Sequence, residues 1–545
     1  MSKKNDNTLV RNASFLMMAA LISKIIGMLY KSPLSTTLGN GSYAMFQFAQ
    51  NVYFILLMIA SFSIPQAVSK IMAEKITFRR YRDAQKVFHC ALLYAVLAGG
   101  AVALFCLFGA KLLVPDTMAG ARLALQMLAP TIFLSGILGV FRGYFQAFRN
   151  MMPTSLSQII EQIFVAVFAL VMSSLMIAHF SGQGEAVVQK WGAAGATMGT
   201  GAGVSAALLF MLFIYWLNRR NIKRRIAHDR RSVNESTSAV MKNIVLIVMP
   251  IILSAFIYNV NGYINSYLYS DIMGRRGMDA ALIGVLYAEY GYFMTIINIP
   301  LTLASTAPTS MIPEVSAHYA RHDIEKANEK IDRATWISMV ISIPAAVGLA
   351  VLSGPVVRIL FPGTNGEGAI LLVLGAVTII LNGNSNISNG VLQGIGKPRI
   401  PMIHAAIALV VDVIAMLALL FLTDLGIYTI VVAMIVYAIV MCLLNEVSMR
   451  KYMGHVNPWR TAYLNPLMAS VPMAAAAGGV YYGLTALIPV GGRVMMTVEL
   501  ALAIAVGGAV YFLAYLMISK PDQEELYSLP GGRILYKLAQ KLYLK

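Results

Sequence analysis

Two lysines stand in the first long apolar run of this chain of 545 residues. Lys24 lies in the middle of that run, and Lys31 follows it by about two helical turns, with Gly27 between them. A charge at the centre of a membrane helix costs about 2.5–3.5 kcal/mol and is therefore expected to face a wet cavity. An ammonium group there can receive a phosphate, so both lysines are candidate binding residues. The alternative is that Lys24 snorkels or pairs with a buried carboxylate such as Glu289.

Polar side chains in other apolar runs are further candidates. Arg142 lies near the end of its run, where it can contact a phosphate or anchor the helix at the membrane interface. Asparagine amides both donate and accept hydrogen bonds, so they suit sugar hydroxyls, but they can equally join neighbouring helices. The candidates of this kind are Asn259, Asn261, Asn265 and Asn386.

Carboxylates inside apolar runs are functional hypotheses by default, because a charge there is expensive. Glu289 is a candidate for substrate binding, and both Glu289 and Asp412 are candidates for carrying a proton. The alternative is that each carboxylate is only paired with a neighbouring polar residue.

The composition defines the setting of these residues. Hydrophobic residues make up 58% of the chain, charged residues only 12%, and the mean hydropathy is +0.70. A soluble fold cannot bury that much apolar surface, so we predict an all-α integral membrane protein. The three cysteines lie in apolar stretches without disulfide or metal-ligand spacing, and we expect no resident cofactor.

Fourteen stretches are long and apolar enough to span a bilayer, which takes about 20 residues each. The predicted spans are 12–31, 44–73, 87–114, 121–147, 153–180, 191–217, 242–270, 282–312, 334–354, 368–394, 400–423, 427–449, 465–488 and 494–519.

The basic residues alternate with these spans. With the amino terminus in the cytoplasm, the inner segments hold 31 of the 42 Lys and Arg residues and the outer segments hold 8. This positive-inside bias predicts that both termini are cytoplasmic. The most basic run, residues 218–232, is interpreted as topogenic with contact to anionic lipid heads, and nucleic-acid binding is not expected despite the net charge of +18.

An internal repeat relates the two parts of the chain. Pro115 recurs as Pro362, Gly136 as Gly383, and further matches share the offset of 247 or 248 residues. Because the offset spans six helices, an even number, the two copies enter the membrane in the same direction. We predict two parallel six-helix halves plus two C-terminal helices, divided as follows: 1–217, N-terminal lobe; 218–241, basic cytoplasmic linker; 242–450, C-terminal lobe; 451–519, spans 13 and 14; 520–545, basic amphipathic cytoplasmic tail.

The opening stretch 11–74, together with 143–162 and 389–403, resembles the stage V sporulation protein B and MurJ-type flippases of the multidrug/oligosaccharidyl-lipid/polysaccharide (MOP) exporter superfamily. Lys24 stands where that family carries Arg in a Ser-Arg-x-x-Gly pattern. The resemblance implies a MATE-like fold in the bacterial cytoplasmic membrane. It also implies alternating-access transfer of a polyprenyl-pyrophosphate-linked saccharide, foremost the peptidoglycan precursor lipid II, to the outer leaflet, with membrane lipids and the cell-wall synthesis machinery as partners.

The same resemblance implies an ion site. An acidic residue on span 11 with groups from spans 7 and 12 corresponds here to Asp412, Asn259 and Thr429. These oxygen ligands suit sodium, and a proton at Asp412 serves equally well.

Two other function classes are alternatives. The flippase could carry another polyprenyl-linked polysaccharide unit, or the chain could be a cation-coupled drug or small-molecule antiporter of the same superfamily. Spans 13 and 14 and the basic Lys24 favour an anionic lipid over a cationic drug. A glycosyltransferase would need paired carboxylates and a sizeable outer domain, which the short outer loops lack, so we predict a transporter and no enzyme.

Overall fold

The computed structural model of this protein describes residues 19, 21–233, 235–487, 492–528 and 532–542. At 305–310, 524, 528, 534 and 542 it describes only the backbone. The regular structure of these residues is helical throughout. Residues 12–18 and 20 of the first predicted span lie outside these ranges. In chain order the helices are α1 (21–29), α2 (Lys31–Leu57), α3 (Ile64–Thr77), α4 (Tyr81–Leu113), α5 (Ala121–Ala147), α6 (Met152–Phe180), α7 (Glu185–Ala227), α8 (Thr237–Arg275), α9 (Ala280–Ala320), α10 (Ile324–Val351), α11 (Ser353–Leu360), α12 (Glu367–Gly375), α13 (Val377–Gly394), α14 (Arg399–Leu422), α15 (Tyr428–Met453), α16 (Asn465–Leu487), α17 (Arg493–Ser519), α18 (Gln523–Ser528) and α19 (Gly532–Leu542).

Twelve helical segments within the described residues are long and apolar enough to cross a membrane. The predicted all-helical membrane architecture is therefore confirmed. The number of spans is twelve, or thirteen if α12 and α13, which meet at a bend of 42°, form one broken span, so the predicted fourteen is not reached by this measure.

One of the twelve segments, Lys31–Thr77, is 47 residues long. A break lies inside it at Gly39, whose φ of 67° is a left-handed conformation that side chains with a Cβ rarely adopt. A second irregularity is the π-helical turn Met58–Phe62, which leads into α3.

The chain divides into two compact units, Met1–Ala288 and Glu289–Lys545. In the first, residues of α3, α4, α5, α7 and α8 enclose an apolar core. Its centre is an aromatic cluster in which the Phe88 ring lies 4.9 Å from the Tyr144 ring and 5.4 Å from the Tyr215 ring, measured between centroids. Ring pairs at these distances add to the stabilisation from burial, and they hold the ends of α4, α5 and α7 together.

Helices α6 and α7 pack along three glycines spaced four residues apart, which we call the glycine seam: Gly195, Gly199 and Gly203. A Cβ at Gly199 would stand 2.4 Å from the backbone nitrogen of Ala169, and one at Gly203 would stand 2.6 Å from the Glu161 carbonyl oxygen. The absence of side chains along the seam lets the two backbones approach, as in small-xxx-small packing of membrane helices.

The segment after α7 returns to the start of α4. The Asp229 carboxylate accepts hydrogen bonds from the Arg82 backbone N–H at 2.7 Å and from the Ser232 hydroxyl at 2.6 Å. Asp83 accepts from the Val233 N–H at 2.9 Å. Burial alone would raise the pKa of Asp229, but the hydrogen bonds from Ser232 and from backbone N–H groups outweigh it and lower the pKa to about 2.

Two apolar cores lie among the described residues of the second unit. One joins α10, α16 and α17, where the Trp336 indole N–H donates to the Tyr515 hydroxyl at 2.6 Å. The chain's final helices belong to this core, since Leu526, Leu535 and Ala539 are buried in it. The apolar face of the predicted amphipathic tail therefore packs on the protein itself.

Candidate functional site

The two candidate lysines lie on one continuous helix. Backbone hydrogen bonds from Tyr30 to Ile26 and from Leu34 to Tyr30 carry α1 into α2, so Lys24 and Lys31 remain about two turns apart. Lys24 is exposed and Lys31 is partly buried. A side chain that other protein atoms do not cover can face either a water-filled cavity or lipid. Exposure alone therefore does not separate the two, and the substrate-facing role of Lys24 stays a prediction.

Helix α1 is positioned closely against α6. A Cβ at Gly27 would stand 2.9 Å from the Gln162 amide oxygen, so the absence of a side chain at Gly27 lets this polar group approach the lysine-bearing helix. The neighbouring Ser23 is buried, whereas Lys24 and Ile25 are exposed. The sequence Ser-Lys-Ile thus combines one buried and two exposed side chains at this turn of α1.

Arg142 is held inside unit 1 by two partners from α6. Its Nη2 lies 2.7 Å from Oε2 of Glu161, and its Nε donates to the Ser157 hydroxyl at 3.0 Å. The Arg142 and Glu161 side chains are 17% and 20% exposed, so this is a mostly buried ion pair. The guanidinium group of Arg142 is therefore engaged by protein, and contact with a phosphate would require it to share or leave that pairing.

The asparagines of α8 lie in a polar stretch that joins helices of unit 1. The Asn259 amide donates to the Ala255 carbonyl at 2.8 Å, Asn265 is fully buried, and Asn261 is partly buried. Their neighbour Ser266 accepts hydrogen bonds from Asn51 of α2 and from Tyr287 of α9, both at 3.0 Å. This stretch of α8 fixes α2, and sequence reasoning did not identify Asn51 or Tyr287.

The asparagines of α13 divide between two roles. Asn386 is exposed, as a cavity-lining residue must be. Asn389 instead accepts from Asn445, whose Oδ1 lies 2.8 Å from Nδ1 of His404. Asn445 is fully buried, so this chain of polar contacts joins α13, α15 and α14 within the second unit.

Glu289 is fully buried and satisfied by a loop of its own unit. Its carboxylate accepts from the Thr364 hydroxyl at 2.7 Å and from the backbone N–H groups of Asn365 and Gly368 at 2.6 and 2.7 Å. The N–H of Gly368 lies in the first turn of α12, where a carboxylate caps the helix and meets its positive dipole end. In this conformation Glu289 therefore binds the α11–α12 loop, and a substrate would have to displace that loop to reach it.

The residues of the expected ion site lie in different parts of the chain. Asp412 on α14 and Thr429 on α15 are both buried in the second unit, whose α14 and α15 pack together. Asn259 belongs to the first unit and donates to its own helix. Within the described residues no group of three or more His, Cys, Asp or Glu side chains is placed to hold a metal ion. The ion site stays a prediction.

Apolar helices in two compact units, with charged groups and amide networks between apolar helices, define a polytopic membrane protein. The chain belongs to the polysaccharide biosynthesis protein family, whose model matches residues 9–319, and the MatE family model matches residues 285–417. The predicted MOP-superfamily membership is thereby confirmed.

Curated relatives cover nearly the whole chain. The lipid II flippase MurJ of Bacillus subtilis is 24% identical over 93% of this chain and 94% of its own. Stage V sporulation protein B of the same organism is 21% identical over 97% of this chain and 99% of its own. The MurJ relative is a flippase, in agreement with the prediction of a bacterial multi-pass transporter and no enzyme.

Solved structures agree on the fold. A lipid II flippase MurJ in an inward closed conformation matches with a TM-score of 0.61 at 14% identity, covering 93% of this chain and 98% of its own. An inward-facing MATE family transporter of the MOP superfamily matches with a TM-score of 0.62 at 19% identity, covering 81% of this chain and 98% of its own. The protein therefore has the MATE/MurJ-like fold.

Proposed function

We propose that this protein is a flippase that moves a polyprenyl-pyrophosphate-linked saccharide, foremost lipid II, from the inner to the outer leaflet of the bacterial cytoplasmic membrane. The observation that carries the proposal is the coverage of the relatives. The MurJ structure accounts for 93% of this chain and the MATE transporter for 81%, although both are matched over 98% of their own length. The additional residues of this chain, which MurJ covers and the MATE transporter does not, favour a flippase over a drug exporter.

The layout that this function needs is fourteen spans in two parallel six-helix halves plus two further helices, with both termini cytoplasmic. Two features support the number. The Gly39 break falls between the first predicted span, which ends at 31, and the second, which begins at 44, so Lys31–Thr77 contains parts of two spans. The bent pair α12–α13 adds one more to the twelve. The positive-inside bias of the basic residues supports the orientation.

In this proposal Lys24 receives the pyrophosphate of the substrate. An ammonium in an apolar helix is costly unless it meets water or an anion, and Lys24 is not buried in its own unit. Asn386, the exposed amide of α13, is a candidate for contact with the sugar. Lys31, Asn259 and Asn261 are secondary candidates because each is partly buried.

A coupling ion, sodium or a proton, is proposed at Asp412 with Thr429. Both are buried side chains with oxygen ligands on packed neighbouring helices. Replacement of Asp412 by Asn, followed by measurement of transport at varied sodium concentration and pH, tests the assignment. Unchanged dependence on both would leave Asp412 a packing residue.

Depletion complementation tests the substrate. A bacterial strain depleted of its lipid II flippase should regain growth when the unmodified protein is expressed, and should not regain it with Lys24→Ala. Lys70→Ala is the matched control, since Lys70 is an exposed lysine at the end of a different span. Membrane abundance of each variant must be equal. Failure of the unmodified protein would exclude lipid II and direct the search to another polyprenyl-linked polysaccharide, and rescue by Lys24→Ala would remove Lys24 from the mechanism.

A further inference from the structure

A cavity of about 300 Å³ lies at the end of unit 1 where α4 begins and α5 and α7 end. This volume is at the lower end of the range for small-molecule sites. The cavity is partly open, and it lies beside the most basic stretch of the chain, which the charge bias assigns to the cytoplasmic side. It is independent of the residues proposed for transport.

The wall of the cavity has two kinds of surface. Aromatic and aliphatic side chains, among them Tyr144, Phe145 and Phe148, form one part. Amides and a guanidinium group, among them Asn150, Asn221 and Arg225, form the other. Of the described residues that line the cavity, none is Asp or Glu, so its charge is positive.

Helix α7 contributes five of these residues through its spacing. Asn218, Asn221, Ile222, Arg225 and Ile226 stand at positions i, i+3, i+4, i+7 and i+8, which is one face of a helix. The remaining basic residues of this stretch lie off that face. Among the basic residues on this part of α7, Arg225 is therefore the one that lines the cavity.

The side chain of Arg225 is positioned to bind an anion. Its guanidinium carbon lies 5.2 Å from the centroid of the Phe148 ring, a cation–π contact that holds the side chain without neutralising its charge. The carboxylates of Asp83, at the start of α4, and Asp229, just after α7, accept hydrogen bonds from backbone N–H groups and from the Ser232 hydroxyl. Among the ion pairs of the described residues, none involves Arg225.

We propose that this cavity binds the phosphodiester head group of an anionic glycerophospholipid. A guanidinium group forms strong paired hydrogen bonds with phosphate oxygens, and amides suit the glycerol hydroxyls. At about 300 Å³ the cavity has room for a head group and not for the acyl chains, which would stay outside it. Phospholipid head groups are present at the membrane surface at high local concentration, whereas a soluble phosphate ester would have to be bound from dilute solution.

The test uses the full-length protein in detergent with added phosphatidylglycerol or phosphatidylcholine of the same acyl chains, and counts bound lipids by native mass spectrometry. The variant is Arg225→Gln, and the matched control is Arg224→Gln, which removes the same charge one residue away on an exposed position outside the cavity. Both variants must elute and melt like the unmodified protein.

We expect one retained phosphatidylglycerol, an affinity about tenfold lower in Arg225→Gln, as for the loss of one charge-assisted hydrogen bond, and no change in Arg224→Gln. Equal losses in the two variants would mean diffuse charge attraction and would overturn the site. Equal binding of phosphatidylcholine would also overturn it. Free glycerol phosphate that binds as tightly as the lipid would overturn the lipid assignment in favour of a soluble ester.

Discussion

The ion pair between Arg142 and Glu161 separates a structural role of Arg142 from a substrate-binding role. The two side chains approach to 2.7 Å and are about four-fifths buried, with Ser157 as a second partner of the guanidinium group. Removal of one member of a fully buried pair costs about 3–5 kcal/mol, and an exposed pair is worth about 0–1 kcal/mol. At this intermediate burial we expect Arg142→Gln and Glu161→Gln each to lower the stability by about 2–3 kcal/mol.

The assay is a double-mutant cycle on the purified protein, with unfolding followed in detergent. Because each single replacement already removes the pairing, the double replacement should cost much less than the sum of the two, with a coupling energy of about 2 kcal/mol. The exchanged pair Arg142→Glu with Glu161→Arg should recover part of the lost stability. Additive single effects would refute the view that Arg142 is held by Glu161.

The same exchanged pair tests the substrate role. If Arg142 acts only through Glu161, the exchanged protein that folds also transports. If Arg142 contacts the phosphates, the exchanged protein folds and fails to transport. Complementation of the flippase-depleted strain, compared at equal membrane abundance, distinguishes these outcomes.

Three further predictions concern parts of the fold that position the candidates. Gly199→Leu should force α6 and α7 apart and cost about 3 kcal/mol or more in unfolding measurements, whereas Gly508→Leu, where a Cβ meets open space, should cost little; equal effects would contradict the glycine seam. Glu289→Gln should leave backbone N–H groups of the α11–α12 loop without their carboxylate and cost about 2–4 kcal/mol, seen as a lower melting temperature and faster hydrogen exchange at residues 364–368; unchanged exchange there would contradict the capping role. Asp229→Asn should lower the free energy of unfolding by up to about 2 kcal/mol, since the pKa of Asp229 in the folded protein, about 2, lies below the ordinary 3.8. That contribution is present above the ordinary pKa and is lost as the pH falls through the folded pKa. Hydrogen exchange of residues 228–236, corrected for its intrinsic rate, should therefore differ between the variant and the unmodified protein at pH 6 and converge toward pH 2. A difference that stays constant with pH would contradict this prediction.

The helices could be predicted from hydropathy because apolar length is what a bilayer requires. Their ends could not, since a helix continues where its apolar run stops. The span predicted at 191–217 belongs to α7, which extends to Ala227 because Ile222 and Ile226 keep an inward face in the basic stretch. Gly39 shows the converse: the sequence predicts a connection between spans 12–31 and 44–73, but helical structure fills that connection except at Gly39.

The candidate residues were identifiable by type, but their partners were not. Arg142 and Glu161 both stand out as charges in apolar runs, yet their pairing depends on how α5 packs on α6. Glu289 is satisfied by backbone N–H groups of Asn365 and Gly368, which carry no signal in a side-chain pattern. The cavity beside Arg225 was hidden for the same reason, because four separate helices contribute its wall.

The most direct test of the proposed function is reconstitution. The purified protein in liposomes that contain fluorescent lipid II should increase the fraction of label that an external quencher reaches after lipid II is placed in the inner leaflet. The increase should be absent with Lys24→Ala and retained with Lys70→Ala. A transfer rate equal to that of protein-free liposomes, with the protein folded and inserted, would contradict the assignment of lipid II as the substrate.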